Sequence, residues 1–259
     1  MQAIAAEHKG FVMEIVFCGQ SDVTDCKLTY YSSECEVDFC GHGTIATMYT
    51  MVKETPELMA KSVITVETNR KGIIEVFNAI NEEDAVYITA PDPIEHPMNL
   101  SFAQIEDALT LPRGAICNDL PIRIIDAGLR TLLVPIVDLD TEISVYPNEQ
   151  SLKSFCENND IDIILAFSKK TADTSAFAHT RVFAPKFGYL EDHATGSGNS
   201  AFANYLLSEG LWNGEPITIE QGGNNRIFNS VKLKCQNGKV LFGGKATKKI
   251  EGKYYIGTK

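Results

Sequence analysis

Phe39-Cys40-Gly41-His42-Gly43-Thr44-Ile45-Ala46 and, about half a chain later, Ala194-Thr195-Gly196-Ser197-Gly198-Asn199-Ser200-Ala201 read as two versions of one block. The first is followed by Ile64-Thr65-Val66-Glu67, and the second, at nearly the same distance, by Ile217-Thr218-Ile219-Glu220. Both copies share one grammar: a β-rich run, a Gly-x-Gly turn, an Ala-containing helix, then a strand with alternating apolar and polar residues. A lone Gly-x-Gly is usually just a tight turn at a helix start. Two in register, each followed by the same strand, indicate an internal duplication. A helix start carries unpaired N–H groups and a partial positive charge, so two of them aimed inward would cradle an anion.

Further strands are expected over residues 11–18, 28–31, 73–77, 122–126, 131–136, 161–167, 231–234 and 240–242, with helices over 46–53, 101–109, 149–157 and 201–209, the last stopped by Gly210. The stretch 90–99 contains Pro91, Pro93 and Pro97 and suits a crossing between domains. The expected domains are 1–100 and 101–259. The fold class expected from the duplication is α+β: two similar β-rich domains, each around one helix, related by an approximate two-fold axis, with the ligand in their shared cleft.

The bulk properties narrow the function. With 259 residues, 44% hydrophobic and 22% charged, the chain can build two cores. No apolar run is long enough to span a bilayer and no signal peptide is evident, so a cytoplasmic protein without a membrane partner is expected. A formal net charge of -11 argues against nucleic acid, while a small carboxylate can still be held by local amides. Seven cysteines, an odd number, suit a reducing compartment. Neither Gly-rich turn ends in Lys-Ser/Thr and no dinucleotide fingerprint is present, so no nucleotide, flavin or nicotinamide cofactor is expected. No metal is expected either: Cys35, Cys40 and His42 match no common zinc spacing.

Arg181-Val182-Phe183-Ala184-Pro185 through Gly188-Tyr189-Leu190-Glu191-Asp192-His193-Ala194-Thr195-Gly196-Ser197-Gly198 resembles the signature that opens the second-domain helix of PhzF-like proteins, in the diaminopimelate epimerase and proline racemase superfamily. Phe39-Cys40-Gly41-His42 resembles the matching turn of the first domain, and Ala127-Gly128-Leu129-Arg130-Thr131-Leu132-Leu133-Val134-Pro135 the strand that begins the second. Gln221-Gly222 and Val240-Leu241-Phe242-Gly243-Gly244 also fall where that family places them. The resemblance implies two diaminopimelate-epimerase-like domains, each a barrel-like sheet around a central helix, and a cofactor-independent isomerase acting on a small carboxylated substrate, often as a homodimer. Such chains usually begin with an extra strand and loop, so the first domain is expected to be shortened at its amino end.

The resemblance also implies roles. Glu14 matches the family's acid/base glutamate, His42 the histidine of the first turn, Asp192 the aspartate before the second and Ser197 the serine within it. Glu14 would shuttle the proton, with His42 and Asp192 orienting substrate or tuning that carboxylate. Gly41, Gly43, Thr195, Gly196, Ser197 and Gly198 would hold the substrate carboxylate. Cys40 departs from the PhzF pattern, and Cys40-Gly41-His42-Gly43-Thr44-Ile45 looks like the cysteine turn of proline racemases, whose second thiol is replaced here by Thr195. A second reading is therefore a racemase or dehydratase of a proline-like amino acid with Cys40 as the single thiol base. A third is a binder of small carboxylates without catalysis, which would leave Glu14 on the exposed side of its strand.

Overall fold

The computed structural model describes residues 1–223 and 228–255. The chain falls into two compact units, Met1–Val86 together with the tail from Lys245, and Tyr87–Gly244. The proline-bearing stretch expected to carry the crossing lies in the second unit, and the end of the chain returns to the first. There Lys245 reaches Asp84 at 3.2 Å and Lys248 reaches Glu54 at 2.5 Å. Among the described residues no helix is long and apolar enough to cross a membrane.

The first unit opens with α1 (Gln2–Glu7), β1 (Glu14–Gly19), β2 (Cys26–Ser32) and the two-residue β3 (Glu36–Val37). It continues with α2 (Gly41–Glu54), α3 (Pro56–Met59), β4 (Val63–Thr68), β5 (Gly72–Ala79) and α4 (Ile80–Glu83), then enters β6 (Ala85–Thr89). β1 and β2 pair antiparallel, β2 and β4 parallel, β4 and β5 antiparallel, and β3 pairs antiparallel with β2. β4 shows why the alternating pattern was readable: Ile64, Val66 and Thr68 are buried while their neighbours are half-buried. Helix α2 buries Thr44, Met48, Tyr49 and Val52, one face at helical spacing, and packs on β1.

The second unit contains β7 (Ile94–His96), α5 (Phe102–Leu109), β8 (Arg123–Asp126), β9 (Arg130–Pro135), α6 (Leu139–Ser144), α7 (Glu149–Asn158), β10 (Ile163–Ser168) and β11 (Ala178–Phe183). After a 3-10 turn at Pro185–Phe187 come β12 (Glu191–Asp192), α8 (Gly196–Ser208), β13 (Ile217–Gln221), β14 (Asn229–Gln236) and β15 (Lys239–Gly244). Every residue of β10 and β11 is buried. Helix α8 is central to this unit, packing on β8, β9, β10, β14 and β15. An aromatic cluster joins it to β10: Phe167 lies 4.7 Å from Phe202 and 5.4 Å from Tyr205, centroid to centroid. A second apolar layer, including Ile105, Leu109, Leu132, Leu152, Ile164 and Phe183, seats α5 and α7.

The duplication is carried strand by strand. In the first unit the sheet order runs β1-β2-β4-β5, with β3 off the path on β2; in the second it runs β10-β11-β13-β14, with β12 off the path on β11. The directions match as well: β10 and β11 are antiparallel, β11 and β13 parallel, β13 and β14 antiparallel. In each unit the two-residue strand leads after three residues into the buried helix that crosses to the parallel partner. This repeated order and direction is the duplicated α+β architecture that the two blocks implied.

Candidate active site

In the first unit, the start of α2 collects three chemically active side chains. Cys40 is the residue before the helix; its backbone is extended, and its Sγ accepts the Gly43 N–H at 3.3 Å. His42, two residues on, places Nε2 at 3.5 Å from Cys40 Sγ and 3.1 Å from Glu14 Oε2. Glu14 starts β1, antiparallel to β2 with Glu14 opposite Ser32, and its side chain is 17% exposed. It therefore turns toward the helix start instead of standing in solvent. His42 is about one-third exposed, and Cys40 is buried. The acid/base-competent oxygen and ring nitrogen are thus reachable from outside, while the thiol sits deeper.

The first intrahelical bond is Thr44 N–H to Cys40 O at 2.9 Å, so the amides of Gly41 and His42 lie ahead of the helix ladder. Gly43 has a packing reason: an added Cβ would lie 2.7 Å from Val16 Cγ2 and 2.9 Å from Cys40 Sγ. A larger residue here would have to displace the Val16 or Cys40 side chain where α2 meets β1.

In the second unit, Thr195 precedes α8 as Cys40 precedes α2, and the first helical bond is Asn199 N–H to Thr195 O at 3.2 Å. The amides of Gly196, Ser197 and Gly198 precede that ladder. A Cβ on Gly196 would fall 2.4 Å from Phe242 Cε2, and one on Gly198 would fall 3.3 Å from Ile163 Cδ1. Asp192 accepts from Thr195 Oγ1 at 2.7 Å and from Ala194 N–H at 3.2 Å. Gln221 closes the network. Its Nε2 donates to Asp192 O at 2.7 Å and Thr195 Oγ1 at 3.1 Å, and its Oε1 accepts from Asn199 Nδ2 at 2.6 Å and from Thr195 N–H at 3.2 Å. Thr195's hydroxyl is thereby committed on both its donor and acceptor sides.

Arg181 is the supporting residue that sequence reading passed over, although it stands at the head of the quoted signature. Fully buried on β11, it grips Glu191 through two parallel bonds of 2.9 Å and points Nη1 at the carbonyls of Glu142, Ile143 and Val145. One guanidinium thus caps the end of α6 and fixes β12, and with it Asp192. Gln221 and Asn199 are likewise positioning residues. The only sequence signal for them was polar residues inside otherwise apolar, buried elements. Cys35, by contrast, is exposed beside Ser32 and does not join Cys40 and His42.

The sequence profile of phenazine biosynthesis-like proteins, PhzC-PhzF, matches residues 1–252. The chain belongs to that family. A crystal structure of a PhzF-family phenazine biosynthesis protein from Bacillus anthracis superposes with a TM-score of 0.81 at 25% identity, covering 94% of this chain and 83% of that one. Among curated relatives, antisense-enhancing sequence 1 of Schizosaccharomyces pombe is 27% identical over 91% of this chain and 81% of its own length. An uncharacterized isomerase of Bacillus subtilis is 27% identical over 85% of this chain and 74% of its own. At 11% identity and a TM-score of 0.53, a hydroxyproline epimerase from Agrobacterium vitis shares the fold alone, over 90% of this chain and 72% of that one.

Proposed function

We propose that this PhzF-family chain is a cofactor-independent isomerase that moves a proton on a carbon beside a carboxylate, with Glu14 as the proton carrier. The observation that carries the reading is the 3.1 Å contact between Glu14 Oε2 and His42 Nε2 at a helix start. A carboxylate held by an imidazole keeps its second oxygen for the substrate carbon, so one group can take a proton at one position and return it at another. Isomerase names among the relatives support the same class. The acid/base groups stand at the start of α2 in the first unit; in the second unit, the amides of Gly196, Ser197 and Gly198 are donors of the kind that hold a carboxylate. Asp192, tied to Thr195, orients that turn.

A second reading rests on the 3.5 Å contact between Cys40 Sγ and His42 Nε2, which gives a cysteine base instead. With a single thiol, that site has one proton carrier and suits dehydration or one-directional transfer better than racemisation. The two are separated by incubating the protein in heavy water with a panel of cyclic and amino carboxylic acids and recording deuterium at carbon. Glu14→Gln abolishes wash-in on the first reading and Cys40→Ala slows it only partly. Loss in Cys40→Ala with retention in Glu14→Gln would overturn it.

A further inference from the structure

We infer that Glu14, Cys40 and His42 form a three-ligand site for a borderline divalent cation of the Zn2+ class, which on binding takes the acid/base pair out of use. The first observation is the ligand spacing. Zn–S, Zn–N and Zn–O bonds of about 2.3, 2.05 and 2.0 Å at tetrahedral angles put the sulfur about 3.5 Å from the nitrogen, and the nitrogen about 3.3 Å from the oxygen. Here Cys40 Sγ stands 3.5 Å and Glu14 Oε2 3.1 Å from His42 Nε2. All three ligand atoms lie within 4.8 Å of one another.

The second observation is that one nitrogen serves both contacts. A single ring N–H points along one line and cannot donate well to two acceptors, whereas a cation seated among the three ligand atoms satisfies them together. Thiolate, imidazole and carboxylate also form the donor mix that Zn2+ accepts, with a fourth position left open as in catalytic sites. The positive end of α2 and the Gly43 N–H oppose a cation here. Two anionic ligands outweigh that partial charge, because with Zn2+ the assembly is neutral. The third ligand comes from β1, far away in sequence, and not from Cys35, which lies exposed beside Ser32.

The site stands on geometry in the first unit alone. Its effect on turnover rests on the isomerase reading. The test titrates the full chain, stripped by chelator, with Co2+ and then Zn2+. One Co2+ per chain is expected, with a near-ultraviolet thiolate charge-transfer band that Zn2+ abolishes. Cys40→Ser, Glu14→Gln and His42→Gln are each expected to weaken binding by roughly 100-fold or more, since even outer-shell partners are worth about 10- to 100-fold. Cys35→Ser is expected to bind as the parent does. X-ray absorption of the Zn2+-loaded parent needs no substitution and is expected to show one sulfur neighbour at about 2.3 Å. Absence of stoichiometric binding, a sulfur count of none or more than one, or a thiolate band surviving in Cys40→Ser would overturn the site. Zn2+ is further expected to stop deuterium wash-in, and chelator to restore it. If wash-in fails with every substrate while the thiolate band forms, the isomerase reading falls and the metal site stands.

Discussion

Cys40 and Thr195 occupy the same place in the duplicated topology, each directly before the buried helix, yet their side chains are used in opposite ways. Cys40 Sγ turns onto its own helix start, accepting from Gly43 and facing His42. Thr195 Oγ1 turns off the helix start to donate to Asp192, and no side-chain cap is made. One copy of the turn therefore keeps its side chain on the helix start, and the other spends it on holding an aspartate still.

Thr195→Val follows directly. It preserves shape but removes the donor to Asp192 and the acceptor for Gln221, leaving a buried carboxylate oxygen and a buried amide short of partners. A loss of about 1–3 kcal/mol is expected, the usual cost of an orphaned buried polar group. Thr195→Ser, which keeps the hydroxyl, is expected to lose less. Urea melts of the three proteins measure this, and equal midpoints for Val and Ser would contradict the assignment.

Gly196→Ala tests whether the second glycine turn is demanded by packing. The new methyl meets the edge of the Phe242 ring at 2.4 Å, a rigid neighbour on β15. Overpacking of about 1–3 kcal/mol is expected, partly recovered by adding Phe242→Leu. An unshifted urea midpoint for the single variant would show that α8 can slide, and the packing argument would fail.

These glycines also explain what the sequence showed and what it hid. Residues 217–220 and 64–67 were legible because their alternation marks half-buried strands, and the repeat of block plus strand marked the duplication. The helices were expected to begin at residues 46 and 201, but they begin at Gly41 and Gly196. Glycine is a poor helix former, and close approach to Val16 and Phe242 outweighs that preference. β11 was not expected as a strand because it is buried on both faces and carries His179, Thr180 and Arg181, so no alternation survives. The cluster of Glu14 with Cys40 and His42 was legible as residue types, but the distances that join them depend on how β1 lies on α2.

Arg181→Lys tests the fork that steadies β12. Lysine keeps the charge but cannot span both Glu191 oxygens and also reach the carbonyls of α6. Because the guanidinium is fully buried and its carbonyl partners would be left short of donors, a loss of about 1–3 kcal/mol is expected. Thermal and urea unfolding measure it. A cost near zero would mean that Glu191 finds another partner and that Asp192 is held without Arg181.

The buried pair Glu142 and His179 gives a prediction in pH. Both side chains are fully buried, with Oε1 3.1 Å from Nδ1. Burial pushes the Glu142 carboxyl well above the usual carboxylate range, against the opposing pull of Arg181, and pushes His179 down to about 4. The folded pair is therefore neutral, with its proton on Glu142. In the unfolded chain the same groups titrate near about 4.3 and about 6.5. Between about 4.3 and 6.5 both states hold one proton, so the pair adds no slope. Above about 6.5 the unfolded chain has released it and the folded protein has not, so stability falls as pH rises, by up to about 1.4 kcal/mol per unit, until Glu142 ionises. Glu142→Gln removes that loss and leaves His179 alone, whose depressed value makes stability rise from about pH 4 to about 6.5 and level off above. The difference between the two unfolding-free-energy curves isolates the pair from every other titrating group, and a flat difference from pH 4 to 9 would refute the neutral assignment.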